Sequence, residues 1–176
     1  MDIYSLAMEI KRGQQKVYEA LDSLGIAYEY YAHPPLPTAE EAHKYMLENW
    51  NSRGEGTTFC KNLFMRNHKG NRHFLIILSA LSQFDIHELE KKLRQGKLSF
   101  SSEPRLEKYM GLKPGSVSLF GLVNDSQKHV HVFIDKDLLS ARKLSFHPND
   151  NTASLVISKD DMLKFLRSTG NSYEFI

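Results

Sequence analysis

One lysine stands out among the residues that could carry chemistry, because it lies on an otherwise apolar side of a predicted strand. Residues 58–66 alternate as a strand does, and Lys61 shares one side of that strand with Phe59, Leu63 and Met65. An ammonium group is costly to bury unless it is paired or used. Either the lysine extends past its neighbours to solvent, which spacing alone favours, or it lines a cleft. In a cleft it could bind a phosphate, bind a carbonyl oxygen or act as a base.

A second candidate is His147, which opens a polar turn over residues 146–153 with proline, asparagine and aspartate close behind it. An imidazole can accept a proton or orient a water molecule near neutral pH. The alternative is a turn histidine that only bonds nearby backbone, and the residues alone slightly favour that interpretation.

The third candidate is the loop over residues 113–118, in which Gly115 is followed by small and hydroxyl-bearing residues. Glycine lets backbone amides approach a ligand, so the loop could hold a small acyl group or a developing oxyanion. Taken by itself the signal is weak, because most Pro-Gly pairs form ordinary turns.

Basic residues cluster in two places along a chain whose net charge is only +2. One group surrounds a predicted hairpin turn and comprises Arg66, His68, Lys69 and Arg72. The other lies on or just after a predicted helix and comprises Lys91, Lys92, Arg94 and Lys97. Both groups could contact RNA phosphates, although clusters of this size are more often solvated surface.

Several other chemistries find no support in the sequence. The single cysteine, Cys60, points away from Lys61 and cannot make a disulfide or a multi-cysteine zinc site. His129 and His131 share a strand side but lack a third ligand at convincing spacing, so we predict no metal. Walker A, dinucleotide and Gly-x-Ser-x-Gly patterns are absent. No apolar run approaches the roughly 20 residues that span a bilayer, and no secretory signal opens the chain, so we expect a cytoplasmic protein without a membrane partner.

The elements that must position these residues alternate irregularly along the chain. We predict helices over residues 14–24, 38–49, 85–96, 104–110 and 158–167, with capping boxes at Thr38–Glu41 and Asp85–Glu88. We predict strands over residues 26–31, 58–66, 72–80, 97–101, 129–135 and 153–158, and a loop over residues 51–56. The second and third of these strands should form a hairpin. This order indicates a mixed α/β (α+β) fold in which residues 1–176 form a single domain with a mixed, largely antiparallel sheet surrounded by helices.

Four segments in register resemble one known family. They are residues 60–67, residues 96–101 with the helix that follows, residues 111–117 and residues 146–153. The first is similar to the family's hallmark strand, whose lysine is its central functional residue. The family is that of the YbaK-like, prolyl-tRNA synthetase-associated editing domains. Within that family, the chain most resembles the free-standing deacylases of alanine-charged proline tRNA. The resemblance extends from about residue 14 to residue 167.

The resemblance implies a trans-editing hydrolase that cleaves the aminoacyl ester of Ala-tRNA(Pro) with water and needs no cofactor. Lys61 would be the catalytic residue, holding the 3′ end of the substrate and polarising or orienting the ester. The substrate pocket would be formed by Gly115, Ser116, Val117, Ser118, His147 and Asn151. The tRNA would be held by Arg66, Lys69, Arg72, Lys97 and Arg105. The implied partners are the acceptor end of tRNA(Pro) and prolyl-tRNA synthetase.

One departure from the family pattern bears on specificity. The family's substrate loop usually contains Gly-x-x-x-Pro, whereas Leu119 stands four residues after Gly115 here. Proline would restrain the loop by fixing φ, so leucine predicts a looser loop and an altered pocket. Two alternatives therefore stay open, namely a deacylase of another mischarged tRNA such as Cys-tRNA(Pro), and a non-enzymatic module that binds tRNA or a synthetase.

Overall fold

The computed structural model describes residues 10–50 and 56–176, so most of the loop predicted over residues 51–56 lies outside the described residues. The helices are α1 (Gln15–Ser23), α2 (Ala39–Asn49), α3 (Ile86–Leu93), α4 (Glu103–Met110) and α5 (Lys159–Thr169). The strands are β1 (Glu29–Ala32), β2 (Thr57–Asn67), β3 (His73–Ser79), β4 (Leu98–Phe100), β5 (His131–Ile134), β6 (Lys143–Phe146), β7 (Ala153–Ser158) and β8 (Tyr173–Phe175). Two 3-10 helices, Leu119–Asn124 and Lys136–Ser140, complete the regular structure of the described chain.

The strands form one mixed sheet in the order β1-β7-β6-β2-β3-β5-β8, and β4 also pairs with β2. Four neighbouring pairs are antiparallel: β1 with β7, β6 with β7, β2 with β3, and β2 with β4. Three pairs are parallel: β2 with β6, β3 with β5, and β5 with β8. The prediction of a mixed α/β fold with a mixed sheet is therefore confirmed.

Strand β2 is the longest strand and connects two parts of the sheet. On one edge it pairs continuously with β3, as the predicted hairpin requires. On its other edge, Thr57–Phe59 pair with β6 and Met65–Asn67 pair with β4. Residues 60–63 lie between these two pairings, so in the described chain that stretch of the edge carries no strand partner.

The two faces of the sheet bury separate clusters, and alternate residues of β2 contribute to each. Phe64 packs in the larger cluster with residues of α1 and α5 such as Leu21 and Phe165. Leu63 and Met65 pack in the other cluster, under α3. This division confirms that neighbouring side chains of β2 point to opposite faces, as the sequence predicted.

Element boundaries differ from the predictions where local backbone bonding decides them. Helix α3 ends at Leu93 rather than near Gly96, because Arg94 adopts a left-handed conformation with φ of 53°. Strand β1 begins at Glu29 rather than Ile26, because the Ile26 amide bonds to the Leu21 carbonyl and finishes the turn after α1. Thr38 forms the predicted capping box of α2, and Asp85 caps α3 through two backbone amides. No helix in the described ranges is long and apolar enough to cross a membrane.

Candidate functional site

A cleft of about 370 Å³ opens where β2 and β6 separate after their short parallel pairing. A volume of this size is typical of sites for small molecules. Strand β2, strand β6 with the turn after it, the start of α2 and the loop before the first 3-10 helix provide its walls. Its polar lining residues include Thr38, Glu40, Lys61, Asn62, Ser145, His147 and Ser154.

Lys61 lies inside this cleft and is paired there, with only 14% of its side chain exposed. Its Nζ lies 3.0 Å from Glu40 Oε1 and donates a hydrogen bond of 3.0 Å to the Ser82 carbonyl. Nζ also lies 5.7 Å from the centre of the Phe84 ring. The hydrogen bond from the lysine lowers the pKa of the Glu40 carboxyl. The sequence left open whether Lys61 extends to solvent or lines a cleft, and in the structure it lines the cleft.

The edge of β2 beside Lys61 offers backbone groups as well as side chains. Phe59 accepts from Ala80 and Asn67 donates to Arg72, the two residues that flank β3, so the odd-numbered residues of β2 direct their backbone groups towards β3. The even-numbered Asn62 therefore directs its N–H and C=O towards the cleft side, where no described strand pairs with it. Its side-chain Oδ1 is buried and has no hydrogen-bond partner among the described residues. Such unmet polar groups at the wall of a cleft are suited to a polar ligand.

The ring of His147 is held by one nitrogen and leaves the other unbonded. Nδ1 lies 2.8 Å from the Ala153 carbonyl, which can only accept, so Nδ1 carries the proton and Nε2 has the lone pair. Nε2 makes no hydrogen bond within the described chain. Burial lowers the pKa of His147, so the ring is neutral at pH 7. The turn histidine thus bonds backbone, as one interpretation held, and still lines the cleft as a proton acceptor.

A second histidine, the buried His33, lies beside His147 with ring centres 5.7 Å apart. Its Nδ1 donates to the Pro34 carbonyl at 2.8 Å, and its Nε2 accepts from the Ser154 hydroxyl at 2.9 Å. Burial lowers the pKa of His33 as well. The sequence analysis did not select His33 or Ser154. The available signal was that His33, like His147, directly precedes a proline.

The predicted substrate loop contributes only part of the cleft wall. Gly115 and Val117 line the cleft, whereas Ser116 and Ser118 do not. Ser118 is fully buried, donates to the His147 carbonyl at 2.6 Å and caps the following 3-10 helix. Its hydroxyl therefore fixes the His147 turn.

Two further residues at this loop, Asn151 and Leu119, lie outside the cleft lining. Asn151 Nδ2 lies 3.5 Å from where a Cβ on Gly115 would stand, so it contacts the loop at that glycine. Leu119, in the position of the family proline, is buried in the core. Burial of that side chain anchors the end of the loop by packing, in place of the restraint on φ that proline would supply.

The five predicted tRNA-binding residues lie around the β2–β3 turn and β4, not in the cleft. Arg66 donates to the Asn67 and His68 carbonyls, and Arg72 donates to Gln95 at 2.6 Å. Lys69 and Lys97 are exposed. From Lys61 to Arg66 the extended strand covers about 17 Å at roughly 3.4 Å per residue. The cleft and the basic residues are thus two regions connected by β2.

The remaining basic residue, Arg105, contacts a pair of histidines near the same turn, of which His73 is buried. Its guanidinium donates to the Gly70 carbonyl at 2.6 Å and to His73 Nε2 at 3.0 Å. His73 Nδ1 lies 2.9 Å from His129 Nε2, and Tyr109 stacks on the His129 ring. Burial, together with the neighbouring positive groups, lowers the pKa of His73 to about 4. His129 and His131 therefore belong to different networks, since His131 bonds Ser172 and Glu174 instead.

Cys60 does not share the chemistry of Lys61, although both residues line the cleft. It packs against the cluster on the opposite face of the sheet, and burial raises the pKa of its thiol. A thiol held in its neutral form is a poor nucleophile. Within residues 10–50 and 56–176, no group of three or more acidic, histidine or cysteine side chains could hold a metal ion.

Comparison with known proteins gives consistent matches. A family model described as an aminoacyl-tRNA editing domain matches residues 33–165. The prolyl-tRNA editing protein ProX of Acetoanaerobium sticklandii is 39% identical over 163 residues, covering 93% of this chain and 96% of that protein. Prolyl-tRNA synthetase associated domain-containing protein 1 of Mus musculus is 28% identical and covers 87% of this chain and 89% of its own. The crystal structure of a candidate trans-editing enzyme for prolyl-tRNA synthetase superposes with a TM-score of 0.66 at 19% identity, covering 91% and 93% of the two chains.

Proposed function

Because the chain belongs to the aminoacyl-tRNA editing domain family, we propose that it removes alanine from mischarged proline tRNA by hydrolysing the aminoacyl ester. Membership of the family makes the protein an aminoacyl-tRNA deacylase that acts in prolyl-tRNA editing. The proposal concerns the amino acid removed, the residues that act and the partners. We also propose that residues 1–176 work as one domain, and that it acts in the cytoplasm, where tRNA is charged.

The observation that carries the proposal is the position of Lys61 in the cleft. Its ammonium group is the one lysine nitrogen that reaches the cleft lining of the described chain, and it lies next to the unpaired edge of β2. A cation there favours the oxyanion that forms when water attacks an ester carbonyl. The hydrogen bonds to Glu40 and to the Ser82 carbonyl orient Nζ before substrate binds.

The reaction requires one proton acceptor, and His147 Nε2 is suited to that role. As water attacks the carbonyl carbon, it gives a proton to Nε2, and Lys61 stabilises the negative charge on the carbonyl oxygen. The ester C–O bond then breaks, and the ribose oxygen takes the proton back from the imidazolium. The products are alanine and intact tRNA. A neighbouring ribose hydroxyl of the substrate can assist the water, and an activated ester needs neither ATP nor a metal.

Selectivity against proline follows from exclusion at the loop wall. Gly115 and Val117 line the cleft and would form the wall beside the amino acid, where the glycine lets the backbone approach it closely. A difference of one methylene yields only about 1–3 kcal/mol of binding discrimination, so a pocket that physically refuses the larger ring is the stronger filter. We assign Ser118 and Asn151 to support this wall from behind, and Ser116 to its outer end.

The acceptor end of tRNA(Pro) would extend from the cleft along β2 to the basic residues at the hairpin. Lys69 and Lys97 are exposed cations that can bind phosphates, and Arg66, Arg72 and Arg105 lie beside them, each with backbone or side-chain contacts. Phosphate contacts of this type weaken as salt concentration rises. Prolyl-tRNA synthetase, which releases the mischarged tRNA, is the proposed protein partner.

The decisive experiment is release of alanine from alanine-charged tRNA(Pro) by the wild type and by Lys61→Ala. We expect kcat/KM to fall about 100- to 1,000-fold, which is the typical loss when one oxyanion-stabilising group is removed. The matched control is Lys143→Ala, which breaks a similar 2.9 Å ion pair to Glu29 outside the cleft and should leave the rate within about twofold of wild type. Proline-charged tRNA should be spared by all three proteins.

Other outcomes lead to the two alternatives. If the wild type releases cysteine but not alanine, the substrate is Cys-tRNA(Pro) and the loop around Leu119 sets a different pocket. If it releases neither amino acid yet binds tRNA(Pro), the chain is a binding module. Equal activity of Lys61→Ala and wild type would refute the role given to Lys61.

A further inference from the structure

Two phenylalanine rings lie at the mouth of the cleft and are not used in the hydrolysis described above. Phe84 lines the cleft, and its ring centre is 5.7 Å from Lys61 Nζ. Phe100, at the end of β4, lies further out, with its ring centre 6.3 Å from that of Phe84 and the two rings inclined at 75°. The rings thus lead outwards from Lys61.

Phe100 is exposed in a way that its position in β4 does not require. Leu98, two residues earlier on the same side of the strand, is 4% exposed and packs under α3, whereas Phe100 is 58% exposed. Exposing a large aromatic ring forgoes the favourable free energy of burying it. Since the ring lies next to the cleft, a ligand that enters the cleft can cover it.

Cations continue the path beyond the rings. The exposed Lys97 lies one residue before β4, and Arg72 lies on the same face of the sheet as Phe100, with its guanidinium carbon 5.6 Å from the centre of the Phe74 ring. Aromatic rings that adjoin a series of cations are the typical surface for single-stranded nucleic acid, because bases stack on the rings while cations contact the phosphates. A peptide or apolar partner would not need the cations.

We propose that Phe84 and Phe100 form a stacking platform for the unpaired nucleobases that precede the aminoacylated terminal nucleotide of the tRNA. This inference rests on the proposed function, because it places the ester at Lys61 and the unpaired 3′ end along the rings. The nearly perpendicular rings cannot both stack on one base, so each ring takes a different nucleotide. The platform recognises a single-stranded end and reads no base edge, so it acts on any tRNA with such an end.

Binding of uncharged RNA tests the platform without any hydrolysis. The two probes are an acceptor-stem hairpin that ends in single-stranded CCA and the same hairpin with a blunt end. Wild type should prefer the CCA hairpin, and Phe100→Ala should lose about 10-fold in affinity for it, which is the size of loss expected when one base no longer stacks on a ring. Phe100→Trp should restore the affinity. The matched control is Phe175→Ala, which removes a 41% exposed ring from β8 at the far edge of the sheet and should change nothing.

Substrate length provides an independent readout. Phe100→Ala should lower kcat/KM about 10-fold for alanine-charged tRNA(Pro) while leaving kcat/KM for the alanyl ester of adenosine unchanged, because the latter has no preceding nucleotide to stack. If the wild type prefers the CCA hairpin and this preference depends on Phe100, but the protein cleaves no alanyl ester, the proposed function is refuted while the stacking platform remains supported. Equal affinity of wild type and Phe100→Ala for the CCA hairpin, or equal affinity of wild type for both hairpins, would overturn the platform whatever the hydrolysis shows.

Discussion

Two histidine pairs, each with one buried ring, stand at two ends of β2, and they differ in what they present to a ligand. In the cleft, His147 donates to a backbone carbonyl and keeps a lone pair on Nε2. Near the hairpin, Arg105 donates to His73 Nε2, which obliges His73 Nδ1 to donate to His129 Nε2. His129 is then left with an N–H on Nδ1, not a lone pair.

The difference shows that the donor at one end of a hydrogen-bond chain decides whether an imidazole can act as a base. Burial lowers the pKa of His147 and of His73, so both rings are neutral at pH 7. Only the cleft ring presents an acceptor to incoming water. The guanidinium of Arg105 instead makes the hairpin pair part of the scaffold.

The largest expected effect comes from removing the acceptor of the cleft pair. His147→Asn keeps a side-chain N–H near Ala153 but has no nitrogen at the Nε2 position, so kcat for alanine release should fall about 100-fold or more. His129→Gln, which keeps an acceptor for His73, should retain kcat within about twofold. Single-turnover hydrolysis of alanine-charged tRNA(Pro) measures the rate of each variant. Equal losses of rate in the two variants would show that the cleft histidine and the hairpin histidine do not differ in catalytic role.

The pH dependence of hydrolysis tests the same distinction in the wild type. The neutral form of His147 is the active base, and burial lowers its pKa below the usual 6.5. We therefore expect the midpoint of the acidic fall in kcat to lie below pH 6.5, with kcat falling about 10-fold per pH unit once the pH is well below the pKa of the ring.

The dependence of kcat on pH should be the same in His129→Gln as in the wild type. The residual activity of His147→Asn should not show the fall in kcat at acidic pH. If kcat of the wild type falls with a midpoint at or above pH 6.5, the role given to His147 is contradicted.

The hairpin pair should be visible in stability rather than in rate. The pKa of His73 is about 4 in the folded state and about 6.5 when unfolded, so the unfolded chain binds more protons between these values. This group's contribution to the free energy of unfolding should fall by up to about 3 kcal/mol as the pH decreases from 6.5 to 4. Urea unfolding at several pH values measures the slope, which should be shallower in His73→Gln. Parallel slopes in the two proteins would show that His73 is not protected from protons.

The smallest effect is expected at the exposed cations beyond the hairpin pair. Lys97→Ala should weaken binding of tRNA(Pro) a few-fold and reduce the slope of log affinity against log salt by about 1, as one lost phosphate contact does. It should leave hydrolysis of the alanyl ester of adenosine unchanged. Lys164→Ala, on the exposed side of α5, is the control and should alter neither. A change in the short-ester rate for Lys97→Ala would mean that the two regions are not separate in function.

Local patterns sufficed to predict the face on which Lys61 lies. The strand-like composition of residues 58–66 and the turn after them predicted both β2 and its hairpin with β3. The same holds for Thr38, whose capping box depends on residues three positions apart. Interactions of this kind involve neighbours in sequence, so a single sequence contains them.

The cleft itself depends on contacts that no local pattern contains. It forms because β6, a four-residue strand that the sequence analysis did not predict, pairs with only the first three residues of β2. His33 was missed because its partner Ser154 lies 121 residues away. For Ser118, the sequence predicted a substrate contact but did not indicate that its hydroxyl donates to the His147 carbonyl. The role of each of these residues is fixed by a partner distant in sequence.

The continuity of β2 limits how this protein can diverge. Lys61 and Arg66 are five residues apart and point to opposite faces of the sheet, so a residue inserted between them would turn one of the two and bring both to the same face. The β2–β3 turn carries no such restriction and can lengthen or shorten. In descendants of this chain we therefore expect the spacing from Lys61 to Arg66 to persist while the turn changes, so that new tRNA preferences arise at the hairpin without disturbance of the ester site.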